Sequence, residues 1–374
     1  MKLKTIALHL GLFILTLLTT TLVGGEFQSG GSFLGILDER IPQLGWVEFM
    51  AGLYYSIPFL GILTAHEFGH YFVARFYKLK VTLPYYIPFY LPGMLQFGTF
   101  GAVIQIKSPM RTRKAYFDVG IAGPLAGFVI ALGVLYYGFT HLPPPEHIYT
   151  IHYDYKMYGL DYANYVYSSR EGLAIGSNLL FEFFTHFVAP DPNLVPNPYE
   201  IIHYPFLIAG YLACFFTALN LFPIGQLDGG HILFGLIGPK NHKIVSPILF
   251  TILVTFGGLG LFSLYDDVST LIQWAPLYIF FLYFIFEKVH PNKTTVLLIA
   301  VSIFTFQFVA ASYFDVKGYP GWLFFGFLLG RVLGVYHPPV SSDQPLSTGR
   351  KVLGWISLIV FILCFSPAPF ELVE

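Results

Sequence analysis

Nine apolar segments recur along this chain of 374 residues, and most of them are long enough to cross a lipid bilayer as a helix. A helix needs about 20 mostly apolar residues to cross the hydrocarbon. Charged residues make up only 11% of the chain, against about 25% in an average soluble domain. We therefore predict an all-α polytopic membrane protein with about nine transmembrane helices. The predicted spans are 5–24, 47–71, 115–140, 204–221, 244–265, 271–286, 294–313, 319–336 and 352–365.

Lysine and arginine residues are distributed unevenly between the two sides of this predicted topology. If the N-terminus is cytoplasmic, 16 of the 20 fall on the cytoplasmic side, and only Arg40, Lys156, Arg170 and Lys317 fall outside. Cytoplasmic loops of membrane proteins collect lysine and arginine. We therefore expect a multi-pass protein of a bacterial inner (cell) membrane, with the first span retained as an anchor.

Two segments interrupt the helical pattern. Residues 81–106 are apolar but rich in proline, glycine and β-favouring residues, which predicts a membrane-associated β-hairpin between the second and third helices. Residues 141–203 are the longest polar stretch, and we expect them to form an extracytoplasmic insertion. We accordingly divide the chain into an anchor region (1–46), a core (47–243) and C-terminal helices (244–374).

The second predicted span contains three ionisable residues, His66, Glu67 and His70, in the sequence His-Glu-Phe-Gly-His. Histidines four residues apart lie on the same helix face. Two such imidazoles can bind one Zn²⁺, and the glutamate beside the first can act on a water molecule. Each ionisable residue in a span costs about 2.5–3.5 kcal/mol on insertion scales. Three such residues within five positions therefore indicate a functional site more than side chains that only reach out to the membrane interface.

A catalytic zinc usually takes three protein ligands, so a third ligand is required from elsewhere in the chain. Asp228 follows the fourth predicted span in a segment broken by proline and glycine, at the same predicted depth as His66. Taken alone, Asp228 could equally cap a helix. His231 could also reach the metal, but a water molecule more usually completes the tetrahedron. We assign no metal to the other histidines, His152 and His203 among them, because the sequence shows no paired ligand for them.

Small residues inside the spans have a simpler interpretation. Gly123 and Gly127 are four residues apart in the third predicted span, a spacing that allows a neighbouring helix to approach closely. We expect these glycines to serve packing. Cys214 and Cys364 are interpreted as small apolar residues of helices, not as a disulfide or a metal pair.

These motifs resemble the site-2 protease family of intramembrane zinc metalloproteases. The resemblance rests on the motif at 66–70, on Leu-Asp-Gly at 227–229, and on Phe-Gly-Thr-Phe-Gly-Ala at 97–102, which is similar to the family's hairpin motif. It covers roughly residues 47–235. It implies that the Zn²⁺ ligands are His66, His70 and Asp228. It also implies that Glu67 and Asn220 are catalytic. The residues of the substrate-binding hairpin would be Gly98, Thr99, Phe100 and Gly101.

We therefore expect a zinc-dependent intramembrane endopeptidase that cleaves transmembrane segments, with its active site toward the cytoplasmic side. Its partners would be transmembrane substrates, membrane-tethered regulators and the lipid bilayer. The net charge of −1 gives no reason to expect nucleic acid. We expect no PDZ domain, although many bacterial members carry one. The alternative is a polytopic metal transporter or sensor that uses the same ligands, but such a protein needs polar residues along a path across several spans.

Overall fold

The computed structural model describes residues 3–34, 41–92, 95–167 and 172–373, which are mostly helical. Arg40 and Arg170, two of the four charges expected outside, are not among these residues. The helices are α1 (Leu3–Ser29), α2 (Trp46–Ala51), α3 (Leu53–Phe76), α4 (Arg113–Thr140), α5 (Tyr162–Val166), α6 (Leu179–Phe187), α7 (Pro205–Leu221), α8 (Asp228–Gly257), α9 (Val268–Phe286), α10 (Lys293–Phe314), α11 (Gly321–Phe327) and α12 (Thr348–Cys364). The strands are β1 (Tyr85–Pro88), β2 (Thr99–Val103), β3 (Gly172–Ile175) and β4 (Phe370–Val373).

Five helical segments among the described residues are long and apolar enough to cross a membrane. They are Leu3–Ser29, Trp46–Phe76, Arg113–Thr140, Val268–Phe286 and Lys293–Phe314. The chain is thus a mostly helical protein with several candidate membrane-spanning helices.

The described residues do not confirm the expected count of nine spans, because several of the expected spans differ in helix length or continuity. Helices α7 and α12 have 17 residues each. Helix α8 ends at Gly257, eight residues before the end of the span expected at 244–265. The span expected at 319–336 is divided between α11 and a π-helix, Leu328–Leu333. A hydropathy window records apolar composition but not where a helix breaks, so the nine-span topology stays a prediction.

The described chain forms two compact units, each assembled from separate stretches of sequence. The first comprises Met1–Met110, Ala122–Leu219 and Val360–Glu374. The second comprises Arg111–Ile121 and Asn220–Ile359. The division at 46 and 243 that we made from the sequence stays a prediction.

In the first unit, β1 and β2 pair antiparallel, with Tyr86 opposite Ala102. The pair packs on the helix that carries the histidine motif. The Tyr86 hydroxyl lies 2.7 Å from Thr64 Oγ1, and Tyr55 of α3 donates a hydrogen bond to the Phe97 carbonyl at 3.0 Å. The strands lie within the segment where proline, glycine and β-favouring residues predict them. Their association with the membrane stays a prediction.

The insertion, also in the first unit, is built from short helical turns. Its 3₁₀ helices are Pro145–Thr150, Tyr153–Asp161, Pro192–Leu194 and Ile201–His203. Strand β3 pairs antiparallel with β4 near the end of the chain. One buried apolar cluster of the insertion centres on Ile148, Tyr155 and Val166.

Candidate metal centre

Helix α3 brings His66 and His70 together. Their Nε2 atoms are 3.0 Å apart and their ring centroids 4.7 Å apart, as expected for residues one helical turn apart. Both side chains are buried. His66 lies ten residues before the last residue of α3, which is roughly 15 Å along the helix axis. His66 therefore lies inside the candidate span, and His70 lies about one turn nearer its end.

Glu67 follows His66 directly and is also buried. Its Oε1 lies 4.0 Å from His66 Nε2. Neighbouring residues on an α-helix are rotated by about 100°, so Glu67 projects from a different part of the surface than the histidine pair. A carboxylate in this place can accept a proton beside a metal without taking a ligand position.

Glycine residues in the neighbouring helix leave the space that the histidine rings occupy. A Cβ atom at Gly123 of α4 would lie 2.1 Å from His70 Nε2. One at Gly127 would lie 3.2 Å from His66 Cβ, and one at Gly69 of α3 would lie 2.4 Å from the Ala122 carbonyl oxygen. The small residues thus have the packing role expected from their spacing, and here that packing confines the two imidazoles. The donor chemistry and this enclosed space fit a bound metal ion.

Asp228, in the second unit, is the first residue of α8, and Leu227 takes the N-cap position. The capping role that Asp228 could have had is therefore not supported. A Cβ at Gly229 would lie 1.9 Å from the Leu221 carbonyl oxygen, and one at Gly230 would lie 2.5 Å from that of Gly225. Only glycine allows the first turn of α8 to approach the preceding backbone so closely. The glycine pair thereby fixes the position of the helix backbone that carries the Asp228 side chain.

The four hairpin residues predicted to bind substrate have two different environments. A Cβ at Gly98 would lie 2.4 Å from Thr20 Cα, and Thr99 is buried, with its hydroxyl donating to the Ile87 carbonyl at 2.8 Å. By contrast, Phe100 is 65% exposed. Gly101 has φ of +96°, and a Cβ there would meet nothing within 4 Å. The second pair is therefore accessible, whereas Gly98 packs against α1 and Thr99 is bonded to β1.

Asn220 is the last residue but one of α7 and is half-buried. Its role stays a prediction. Tyr86 was not predicted from the sequence as a residue near the site. Its hydroxyl contacts Thr64, two residues before His66. Its only signal in the sequence was its place in a β-favouring segment.

Comparison with known proteins places these features in a family. The chain matches the model of peptidase family M50 over residues 54–264, more than half of its length. It is 28% identical over 237 residues to the probable zinc metalloprotease EGY2, chloroplastic, of Oryza sativa subsp. indica, covering 62% of the chain and 36% of the relative. It is 31% identical over 207 residues to the probable zinc metalloprotease EGY1, chloroplastic, of Arabidopsis thaliana, covering 53% and 30%. No solved structure matches.

The matched region contains the motif at 66–70, the hairpin and Asp228. The chain spans about a third of the length of these curated relatives. Their names do not favour a metal transporter or sensor. They are chloroplastic proteins, so the bacterial inner membrane that we expected is not supported. The resemblance seen in the motifs is confirmed: the chain belongs to peptidase family M50.

Proposed function

We propose that this protein is a zinc-dependent intramembrane endopeptidase that binds one Zn²⁺ through His66, His70 and Asp228. The observation that carries the proposal is the pair of buried imidazoles, with Nε2 atoms 3.0 Å apart, inside a candidate membrane span. The three side chains offer two nitrogen donors and one carboxylate oxygen, the kind of donor set that zinc takes. Three protein ligands with one open position are usual for catalytic zinc.

The chemistry divides between the metal and the residues of this chain. Bound zinc would polarise the scissile carbonyl and lower the pKa of its water to about 7. Glu67 would hold the proton released by the attacking water and transfer it to the leaving amine. Its Oε1 lies 4.0 Å from His66 Nε2, close to the proposed ligands without being one of them. Asn220 contacts the scissile peptide or its oxyanion through its carboxamide.

The substrate is a transmembrane segment of another protein, presented to the site in extended form. A helix holds its carbonyl groups in internal hydrogen bonds, so the scissile segment has to unwind first. Within the described part of the chain, β2 pairs with β1 alone. An extended peptide can add to such an edge through main-chain hydrogen bonds. Exposed Phe100 and open Gly101 support this edge as the place where it binds.

The site faces the side of the membrane on which the lysine- and arginine-rich loops lie. The basis is the uneven distribution of the 20 lysine and arginine residues, of which Arg75, Lys78 and Lys80 lie at or just after the end of α3. Water would reach the metal from this side. Membrane-tethered regulators could deliver substrates to the same region.

The proposal is tested with Glu67→Gln, which keeps the shape of the side chain but removes the base. The purified variant is reconstituted in liposomes with a panel of single-span reporter proteins. We expect its zinc content to be unchanged and cleavage to fall by roughly 10²–10⁴-fold, the usual contribution of a positioned acid–base group.

Glu182→Gln is the matched control, because Glu182 lies on α6 with its side chain half exposed. This variant should cleave the reporters at the rate of the unmodified protein. Cleavage by Glu67→Gln at that same rate, with contaminating proteases excluded, would contradict the proposed mechanism. Loss of zinc from Glu67→Gln would instead make Glu67 a ligand.

A further inference from the structure

A second group of potential metal ligands lies in the insertion, within the first unit. His152 and His203 have their Nε2 atoms 3.2 Å apart. Glu200 Oε2 lies 3.6 Å from the first nitrogen and 3.4 Å from the second. Each residue therefore directs one ligand atom into the same small triangle, although the sequence reasoning assigned these histidines no metal.

The size of the triangle matches the coordination geometry of zinc. Bonds of 2.0–2.1 Å arranged as a tetrahedron separate neighbouring ligand atoms by about 3.3 Å. The three edges here, 3.2, 3.4 and 3.6 Å, lie close to that separation. We propose that His152, Glu200 and His203 bind one Zn²⁺, independently of His66 and His70.

Further contacts orient the ligands toward the metal position. The His203 Nδ1–H donates a hydrogen bond to the Phe27 carbonyl of α1, which leaves the Nε2 lone pair directed at the triangle. The Tyr167 hydroxyl donates to Glu200 Oε1, so Oε2 is the oxygen turned toward the histidines. Hydrogen bonds of this kind hold ligands in position in zinc sites.

The degree of burial also suits a cation. Glu200 is only 2% exposed, and a buried carboxylate is stabilised by a metal ion or another positive charge nearby. The His152 side chain is 29% exposed, which leaves one side open for metal entry and for a water molecule as fourth ligand. Two imidazoles and a carboxylate favour zinc over magnesium or calcium, which prefer oxygen ligands alone.

Such a metal would hold together two parts of the insertion that are far apart in the sequence. It would connect His152, just before the turn Tyr153–Asp161, to the turn Ile201–His203. Through the bond between His203 and Phe27, it would also attach the insertion to α1. Structural zinc sites link separate stretches of chain in this way. The proposed role is therefore structural.

The test counts zinc in the full-length protein, purified in detergent, loaded with ZnCl₂ and dialysed against a weak chelator. We expect two equivalents per chain in the unmodified protein. One equivalent should remain in His152→Gln, and one in the double variant His66→Ala, His70→Ala. All three substitutions together should leave none. His186→Gln, an exposed histidine of the same insertion, should keep two.

Cobalt provides an independent reading of the same site. With His66 and His70 replaced, bound Co²⁺ should show the visible absorption of a tetrahedral site, and adding His152→Gln should abolish it. His152 is the preferred position because replacing buried His203 also removes the bond to Phe27. A zinc count in His152→Gln equal to that of the unmodified protein would overturn the inference. The double variant His66→Ala, His70→Ala reports separately on the other site.

Discussion

Replacing Gly123 by alanine is the sharpest test of how α4 confines the proposed zinc ligands. The new Cβ would lie 2.1 Å from His70 Nε2, 2.4 Å from Cδ2 and 2.5 Å from Cε1, whereas ordinary contact begins at 3.4 Å. The imidazole would therefore have to move by more than about 1 Å, since Cβ is fixed on the helix backbone.

The expected effect follows from how little displacement a metal site tolerates. Ligand distances in zinc sites are held within about 0.2 Å, and a misplacement of 1 Å in an active site can cost about 10²-fold. We therefore expect Gly123→Ala to lose its zinc from the proposed site and to cleave at least about 100-fold more slowly. Overpacking of this kind also costs roughly 1–3 kcal/mol of stability.

The assay measures zinc content and reporter cleavage for Gly123→Ala and for Gly133→Ala. Gly133 lies in the same helix, and a Cβ there would meet nothing within 4 Å. Because alanine favours a helix over glycine by about 1 kcal/mol, the control should fold at least as well and keep its zinc and activity. Full zinc and full cleavage in Gly123→Ala would show that α4 does not hold His70 in place.

Three further predictions address the hairpin, the topology and acid stability. Gly101→Val should reduce cleavage with zinc retained. Gly159 also has a positive φ and open space around it, and Gly159→Val should not reduce cleavage. Equal cleavage by both variants would argue against a substrate strand at β2. Single cysteines introduced at Lys107 and Asn164 should be labelled by a membrane-impermeant thiol reagent from opposite sides of the membrane. The native cysteines are buried, so they should not react. Labelling of both introduced cysteines from one side would refute the topology. Burial lowers the pKa of His337 from its ordinary 6.5 to about 4, so acid should destabilise the fold between these values, because the unfolded chain takes up the proton first. His337→Gln should show a smaller fall in Tm over that range, and an identical fall would contradict the assignment.

The motif in α3 could be predicted from the sequence because its geometry is local. The 3.6-residue period of a helix brings residues at i and i+4 together whatever surrounds them, so the approach of His66 to His70 required no knowledge of the fold. The hairpin could be predicted for a similar reason. Proline and glycine exclude a continuous helix over residues 81–106, and the β-favouring residues between them form β1 and β2.

The length and continuity of the helices were harder to predict from the sequence. Helix α8 breaks at Gly238, and the apolar segment at 319–336 ends in a π-helix. Whether a helix bends or breaks depends on whether neighbouring groups satisfy the backbone hydrogen bonds that are released. Those neighbours come from other segments, so a hydropathy window does not contain them.

Contacts between residues far apart in the chain were decided by the tertiary structure alone. Nothing in the spacing of Gly123 indicates that it lies against the His70 ring, because the contact depends on how α3 and α4 pack. The triangle of His152, Glu200 and His203 shows the same limit. Only Glu200 and His203 are close in sequence, and His152 reaches them because the insertion folds back on itself. Local periodicity carries no record of such a contact, since it arises from packing between segments that are remote along the chain.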